Sequence, residues 1–148
     1  MSMNQILSGM EISASGLTSE RLRMEVAANN IANIHSTTTP NGGPYQRQQV
    51  TFSAAMKQYG MPGKNNVQDL KGVRVVSVTS DTTPGPVIHD PGHPDADASG
   101  NVQMPNVNLP HEMVDLVTAS RAYEANLKSL ETFRQMAEQA LSLLRGLR

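Results

Sequence analysis

At 148 residues with a net charge of −1 the chain has the size of one domain, but aromatic residues make up only 3% of it and tryptophan is absent. Large rings supply much of a domain's buried area, so any single core here is expected to be thin. Having no cysteine, the chain forms no disulfide and no thiolate metal site, and with no basic patch interleaved with aromatics it is not expected to bind nucleic acid.

Residues 1–35 read as a helix. Met3, Ile6, Met10, Ser13, Leu17, Glu20, Met24, Ala27, Ile31 and Ile34 alternate steps of three and four, the spacing of a heptad seam. Gly9, Gly16, Asn29, Asn30 and Asn33 weaken it, each costing up to about 1 kcal/mol relative to alanine. Such a helix is marginal alone and needs a partner. Gly9 and Gly16 flank the seam, as do Ala14 and Ala28, and small side chains let neighbouring backbones approach, so more than one flank is expected to be covered. No stretch here or elsewhere approaches the roughly 20 apolar residues of a membrane span. The start also lacks a secretory signal: the first basic residue is Arg21, and Ser8, Gly9 and Glu11 interrupt any apolar run. The expectation is a chain that stays in the cytoplasm or leaves by a route that reads no cleaved signal.

Residues 36–110 form a different segment, carrying all nine prolines, from Pro40 to Pro110. Tyr45 to Phe52 and the β-branched run Val73 to Val78 read as strands, with weaker candidates at Pro86–Ile88 and Val102–Met104. Met56–Gln68 is rich in Gly and Asn and reads as a flexible connection. A small module of two or three hairpins is expected.

Residues 111–148 carry the cleaner helix pattern. Met113, Leu116, Ser120, Tyr123, Leu127, Leu130, Arg134, Ala137, Leu141 and Leu144 keep the three-four alternation without a slip, as in a coiled coil. Glu112 and Asp115 suit the positive end of the helix dipole, Arg145 and Arg148 the negative end, and Gly146 reads as a stop. At about 1.5 Å per residue each terminal helix would run roughly 50 Å, and two such helices paired alone bury little. Length and weakness together favour assembly. Glu20 and Arg134 interrupt the seams and read either as register elements or as places where a seam turns to solvent.

Two patterns suggest metal chemistry. Asp95, Asp97 and Ser99 followed by Gly100 begin like a calcium loop, but the closing glutamate is replaced by Asn106, and Pro91, Pro94 and Pro105 forbid flanking helices. The simpler reading is a turn in which the aspartates cap backbone amides and Gly100 is left-handed. His89 and His93 at i,i+4 would share a helix face for zinc, but Pro91 and Gly92 prevent a helix there, so solvated loop histidines are expected ahead of three loop ligands. There is no nucleophile elbow and no phosphate-cradling glycine loop, so no enzyme is expected.

Ser15-Gly16-Leu17-Thr18-Ser19-Glu20-Arg21, leading into Ala27-Ala28-Asn29-Asn30-Ile31-Ala32-Asn33, resembles the signature of bacterial flagellar rod and hook proteins. Val114-Asp115-Leu116-Val117-Thr118-Ala119-Ser120-Arg121-Ala122-Tyr123-Glu124-Ala125-Asn126 resembles the matching C-terminal segment of the same family. Between them, Asp90-Pro91-Gly92-His93-Pro94-Asp95-Ala96-Asp97 and Pro105-Asn106-Val107-Asn108 look like the middle of its proximal-rod members, and the resemblance covers nearly the whole chain. Ile34-His35-Ser36-Thr37-Thr38-Thr39 departs from the Ala-Asn-Thr common in relatives, which affects only the helix end.

The resemblance implies a mainly α protein with a small β insert. Its long N- and C-terminal helices would pack as a coiled-coil-like pair or bundle around a hairpin-rich middle. It implies a structural subunit of the basal-body rod in the periplasm, exported unfolded by the flagellum's own type III apparatus. Implied partners are copies of itself, other proximal and distal rod proteins, and the adaptor between the membrane ring and the rod; no cofactor is implied. Ile6, Met10, Leu17, Met24, Ile31, Met113, Leu116, Tyr123, Leu127, Leu130, Leu141 and Leu144 are the expected assembly interface. Asp95, Asp97, Gly100 and Asn106 are expected turn or inter-subunit contacts. Two rival readings are a cytoplasmic coiled-coil adaptor or chaperone, and a calcium-dependent binding module.

Overall fold

The computed structural model describes residues 3–40, 42–59 and 67–145. In chain order the elements are α1 (Met3–Ala32), β1 (Gln48–Tyr59), β2 (Val67–Ser80), β3 (Val87–His89), β4 (Asn101–Gln103) and α2 (Leu109–Arg145). β1 and β2 make one two-stranded sheet, and β3 and β4 another. The second is antiparallel, with Val87 opposite Gln103, Ile88 opposite Val102 and His89 opposite Asn101.

Strands therefore stand at all four expected places, with differences in extent. β1 continues to Tyr59 and β2 begins at Val67, so both ends of the expected Met56–Gln68 connection are strand; residues 60–66 lie outside the described residues. α2 begins at Leu109, ahead of the expected start, because Asn108 supplies an N-cap: its Oδ1 accepts the His111 N–H at 3.1 Å. Pro110 then falls in the first turn, where a helix has no use for its missing donor. The expected stop at Gly146 lies outside the described residues.

The contacts divide the chain into two compact units, and each helix contributes to both. The first comprises Met1–Arg21, Phe52–Val76 and Ala119–Arg148; the second comprises Leu22–Thr51 and Ser77–Thr118.

In the first unit the two helices pack together in antiparallel fashion. The Phe133 ring lies over Gly9, so close that a Cβ there would come within 2.6 Å of it, and the Asn126 side chain occupies the same position over Gly16, 2.8 Å from a hypothetical Cβ. These contacts step by one heptad along each helix in opposite directions. Ile6, Ser13, Ser19 and Ala119 are buried here.

A second flank of α1 meets β2. Gly72 has a φ of +98°, a conformation side chains rarely adopt, and a Cβ there would collide with Ser15. The Ser15 hydroxyl donates to the Ile12 carbonyl at 2.7 Å and accepts the Val73 N–H at 3.1 Å. Lys71 pairs with Glu11 at 3.1 Å on the same side. Glycine thus works at both flanks, from α1 at Gly9 and Gly16 and from β2 at Gly72.

The second unit buries Val26, Ala27 and Val102 together with two polar side chains, Asn30 and Glu112.

Candidate functional site

Asn30, near the end of α1, is 1% exposed, as is Glu112 in the first turns of α2. Buried polar groups are costly unless every donor and acceptor is met, and Asn30 meets all of its own. Its Nδ2 donates to the Gln48 carbonyl and to Glu112 Oε2, both at 2.9 Å. Its Oδ1 accepts the Gln48 N–H and the Tyr45 hydroxyl, also at 2.9 Å. Toward Gln48 the carboxamide thus imitates a strand neighbour, offering the start of β1 both halves of a ladder rung.

Glu112 spends its other oxygen on Arg47, whose Nε lies 2.5 Å from Oε1. The Arg47 backbone N–H donates to Asn106 Oδ1 at 2.7 Å, and Asn106 Nδ2 donates to the carbonyls of Asp81 and Thr83 at 2.9 Å. Arg23 donates to Asp115 at 2.7 Å. Burial, then the nearby Glu112 charge, pushes the Tyr45 hydroxyl above its ordinary value.

Among the described residues, His111, Glu112 and Asp115 form the one group of three such side chains close enough to ligate a metal, with ligand atoms all within 4.8 Å of one another. A cation already stands there: the Arg47 guanidinium lies 3.3 Å from His111 Nδ1 and 3.7 Å from Asp115 Oδ2, besides its bond to Glu112. The arrangement balances Arg23 and Arg47 against two carboxylates. Its chemistry is that of a clamp, tying the end of α1, the start of β1 and the start of α2.

Asp95 to Gly100 folds as an Asx-type turn. Asp97 Oδ1 accepts the N–H groups of Ser99 at 2.8 Å and Asn101 at 2.9 Å, and Gly100 has a φ of +75°. Asp95 accepts the Thr37 hydroxyl at 2.6 Å. Hydrogen bonds from Thr37 and then Thr38 hold its carboxyl below the usual carboxylate value. His89 Nδ1 lies 3.1 Å from Asn101 Oδ1, and His93 Nδ1 accepts the Asp95 N–H at 3.1 Å. Asn106 belongs to the clamp.

The twelve helix positions expected at an interface separate by helix. On α1, Ile6 is buried and Met10, Leu17, Met24 and Ile31 are half-buried. On α2, Leu116, Tyr123 and Leu130 are half-buried, whereas Met113 (54%), Leu127 (40%) and Leu141 (50%) are exposed; the Leu144 side chain lies outside the described residues. Contacts within the chain use instead the positions just before that exposed column: Ala119, Asn126 and Phe133 in the first unit, Glu112 in the second. Arg134 points outward and pairs with Glu138.

Sequence reasoning missed the clamp of Asn30, Arg47 and Glu112. The available signal was Asn30 inside the Asn29-Asn30-Ile31 run, an asparagine at the edge of an apolar seam.

Residues 10–39 match the family described as "Flagella basal body rod protein", and residues 98–143 match "Flagellar basal body rod FlgEFG protein C-terminal". Curated relatives called flagellar basal-body rod protein FlgC cover nearly the whole chain. That of Borreliella burgdorferi is 41% identical over 95% of this chain and 99% of its own length. That of Salmonella typhimurium is 40% identical over 93% of this chain and 97% of its own. That of Bacillus subtilis is 37% identical over 90% and 95%. No described helix is long and apolar enough to cross a membrane.

Proposed function

The chain belongs to the FlgC family of flagellar basal-body rod proteins, and from that premise we propose that it polymerises helically through its terminal helices to build the proximal rod. It is a structural subunit of the basal body, and in this reading its polymer is the drive shaft that carries torque across the periplasm. The observation that carries the reading is the exposed pair Leu127 and Leu141, on the part of α2 whose other side packs on α1 in the first unit. Apolar side chains left exposed at two-heptad intervals on one helix face call for another helix to cover them. A contact between unlike faces of identical subunits that does not close into a ring generates a helical polymer.

The partners are copies of the chain, other proximal and distal rod proteins, and the adaptor at the base of the rod. The subunit reaches them through the flagellum's own export apparatus. It works through packing rather than catalysis, and the clamp keeps the two helices and the middle segment in one arrangement while load passes through them.

Basal-body purification tests the reading. The wild-type chain should co-purify with basal bodies, and Leu127→Asp should be lost from them while remaining soluble. A wild-type chain found only in the cytoplasm would favour an adaptor that stays inside.

A further inference from the structure

We propose that the outward face of α1 in the first unit seats the exposed side of α2 from a second copy of this chain, antiparallel, with Arg21 facing Glu124 and Glu11 facing Arg134. The setting rests on the rod reading above; the partner and the register rest on the two faces. Among the described residues, a third flank of α1 is covered neither by α2 nor by β2. Leu7, Glu11, Ala14, Thr18 and Arg21 follow one another along it in steps of four and three, and all five are exposed. On α2, Glu124, Leu127, Glu131, Arg134, Glu138 and Leu141 keep the same alternation in the opposite order, and all six are exposed. Laid antiparallel, the two stripes match step for step. Between the facing charges Leu127 then meets Thr18 and Glu131 meets Ala14, larger side chains against smaller ones. Leu7 lies against the Glu138 stem, one turn from Leu141.

The charges admit one register. Sliding the contact by three or four residues one way sets Glu131 against Glu11. Sliding it the other way sets Lys128 against Arg21 and Glu138 against Glu11. A full heptad in either direction forms at most one opposite-charge pair. Within the chain Glu11 pairs with Lys71 at 3.1 Å and Arg134 with Glu138 at 2.9 Å, yet Glu11 and Arg134 stay 62% and 76% exposed. Such solvated pairs are easily exchanged for pairs across an interface. A second copy is the occupant because the charge order that the α1 stripe requires is the one that α2 of the same chain carries, at the same spacing.

Each copy holds one stripe of each kind, so the contact joins unlike faces and leaves both ends of a pair open. Inside the unit Gly9 lies opposite Phe133 and Gly16 opposite Asn126, three residues out of step with the facing between copies. Each added copy is therefore displaced by about 4.5 Å along the helices, and the array climbs instead of closing.

Charge reversals rescued by a second chain test this in purified basal bodies. R21E/R134E places acid against acid at both facing positions, and E11R/E124R places base against base. Either chain alone should fall about tenfold or more in the basal-body fraction, because every contact between copies is altered. Expressed together they should alternate along the array and recover to within about threefold of wild type, since each then meets the opposite charges. Repulsion inside one chain cannot be relieved by a second, and a partner of different sequence gives no mutual rescue. A chain carrying all four changes has both pairs reversed and should incorporate like wild type. Normal incorporation of either double variant alone, continued loss of both on co-expression, or loss of the fourfold variant overturns the proposal. The wild-type chain in the same preparation keeps the two readings apart, since its absence from basal bodies would instead count against the rod assignment.

Discussion

The two long helices invert what their sequences suggest. α1 carries the poorer helix formers, with Gly9, Gly16 and three asparagines, yet in the first unit it is covered by α2 on one flank and by β2 on another. α2 carries the stronger apolar heptads, yet Met113, Leu127 and Leu141 remain open. The contrast separates two uses of a helix face. Glycine and asparagine lower intrinsic helicity but admit Phe133 and Asn126 at close range and fill a ladder position at Gln48, so α1 is held by its surroundings. The larger side chains of α2 at Met113, Leu127 and Leu141 lie where no described residue of the chain covers them. Helix strength read from sequence is thus a poor guide to burial in this chain.

The comparison is broken most severely where both helices meet. Glu112→Ala removes the buried carboxylate, leaving the Arg47 guanidinium only its longer contacts to Asp115 and His111 and one Asn30 donor unmet. A loss of about 3 kcal/mol is expected in urea or thermal unfolding. Replacing Arg47 and Glu112 together by methionine should recover much of that loss, since no buried charge then lacks its partner. If the single change were silent, the clamp would not be what holds α1 to the start of α2.

Gly72→Ala acts on the flank of α1 that α2 does not cover. The left-handed φ and the collision with Ser15 should together cost about 2 kcal/mol, read as a lowered melting temperature. A stable alanine variant would mean that β2 contributes little to holding α1.

The smallest effect is expected away from both faces. The Thr37 and Thr38 hydrogen bonds hold the Asp95 carboxyl below the ordinary aspartate value, so they favour the charged form. Their contribution is present above that value and is lost as pH falls through the lower folded-state value. Asp81, held down chiefly by Thr83, has the same sign. Acidification from neutral pH should therefore lower the melting temperature of wild type slightly more than that of Asp95→Asn, and equal slopes would contradict the hydrogen bond.

Much of this architecture was legible in the residues. Proline placement marked out the middle segment, heptad spacing marked both helices, and the Asp97–Gly100 turn followed from its Asx and glycine chemistry. Gly9 and Gly16 signalled close approach. The inner contact line of α2 was not legible, because it runs through Glu112, Ala119, Asn126 and Phe133, residues of no common polarity, beside a column of uniform apolar side chains that draws the eye. The clamp was hidden for a related reason. Asn30 and Glu112 read as solvent-seeking, and only the arrival of Arg47, Tyr45 and Gln48 from the middle segment makes their burial favourable. Long-range partners of buried polar groups leave no local period.

One measurement bears most directly on the division between a covered α1 and an open α2: Leu127→Asp, compared with wild type by circular dichroism of the soluble chain and by recovery in purified basal bodies. An aspartate on an uncovered face should leave the helical signal and its melting within about 0.5 kcal/mol of wild type, while incorporation into basal bodies is lost. Loss of helix in the soluble chain would place Leu127 inside the subunit, and normal incorporation would remove α2's open column from the assembly.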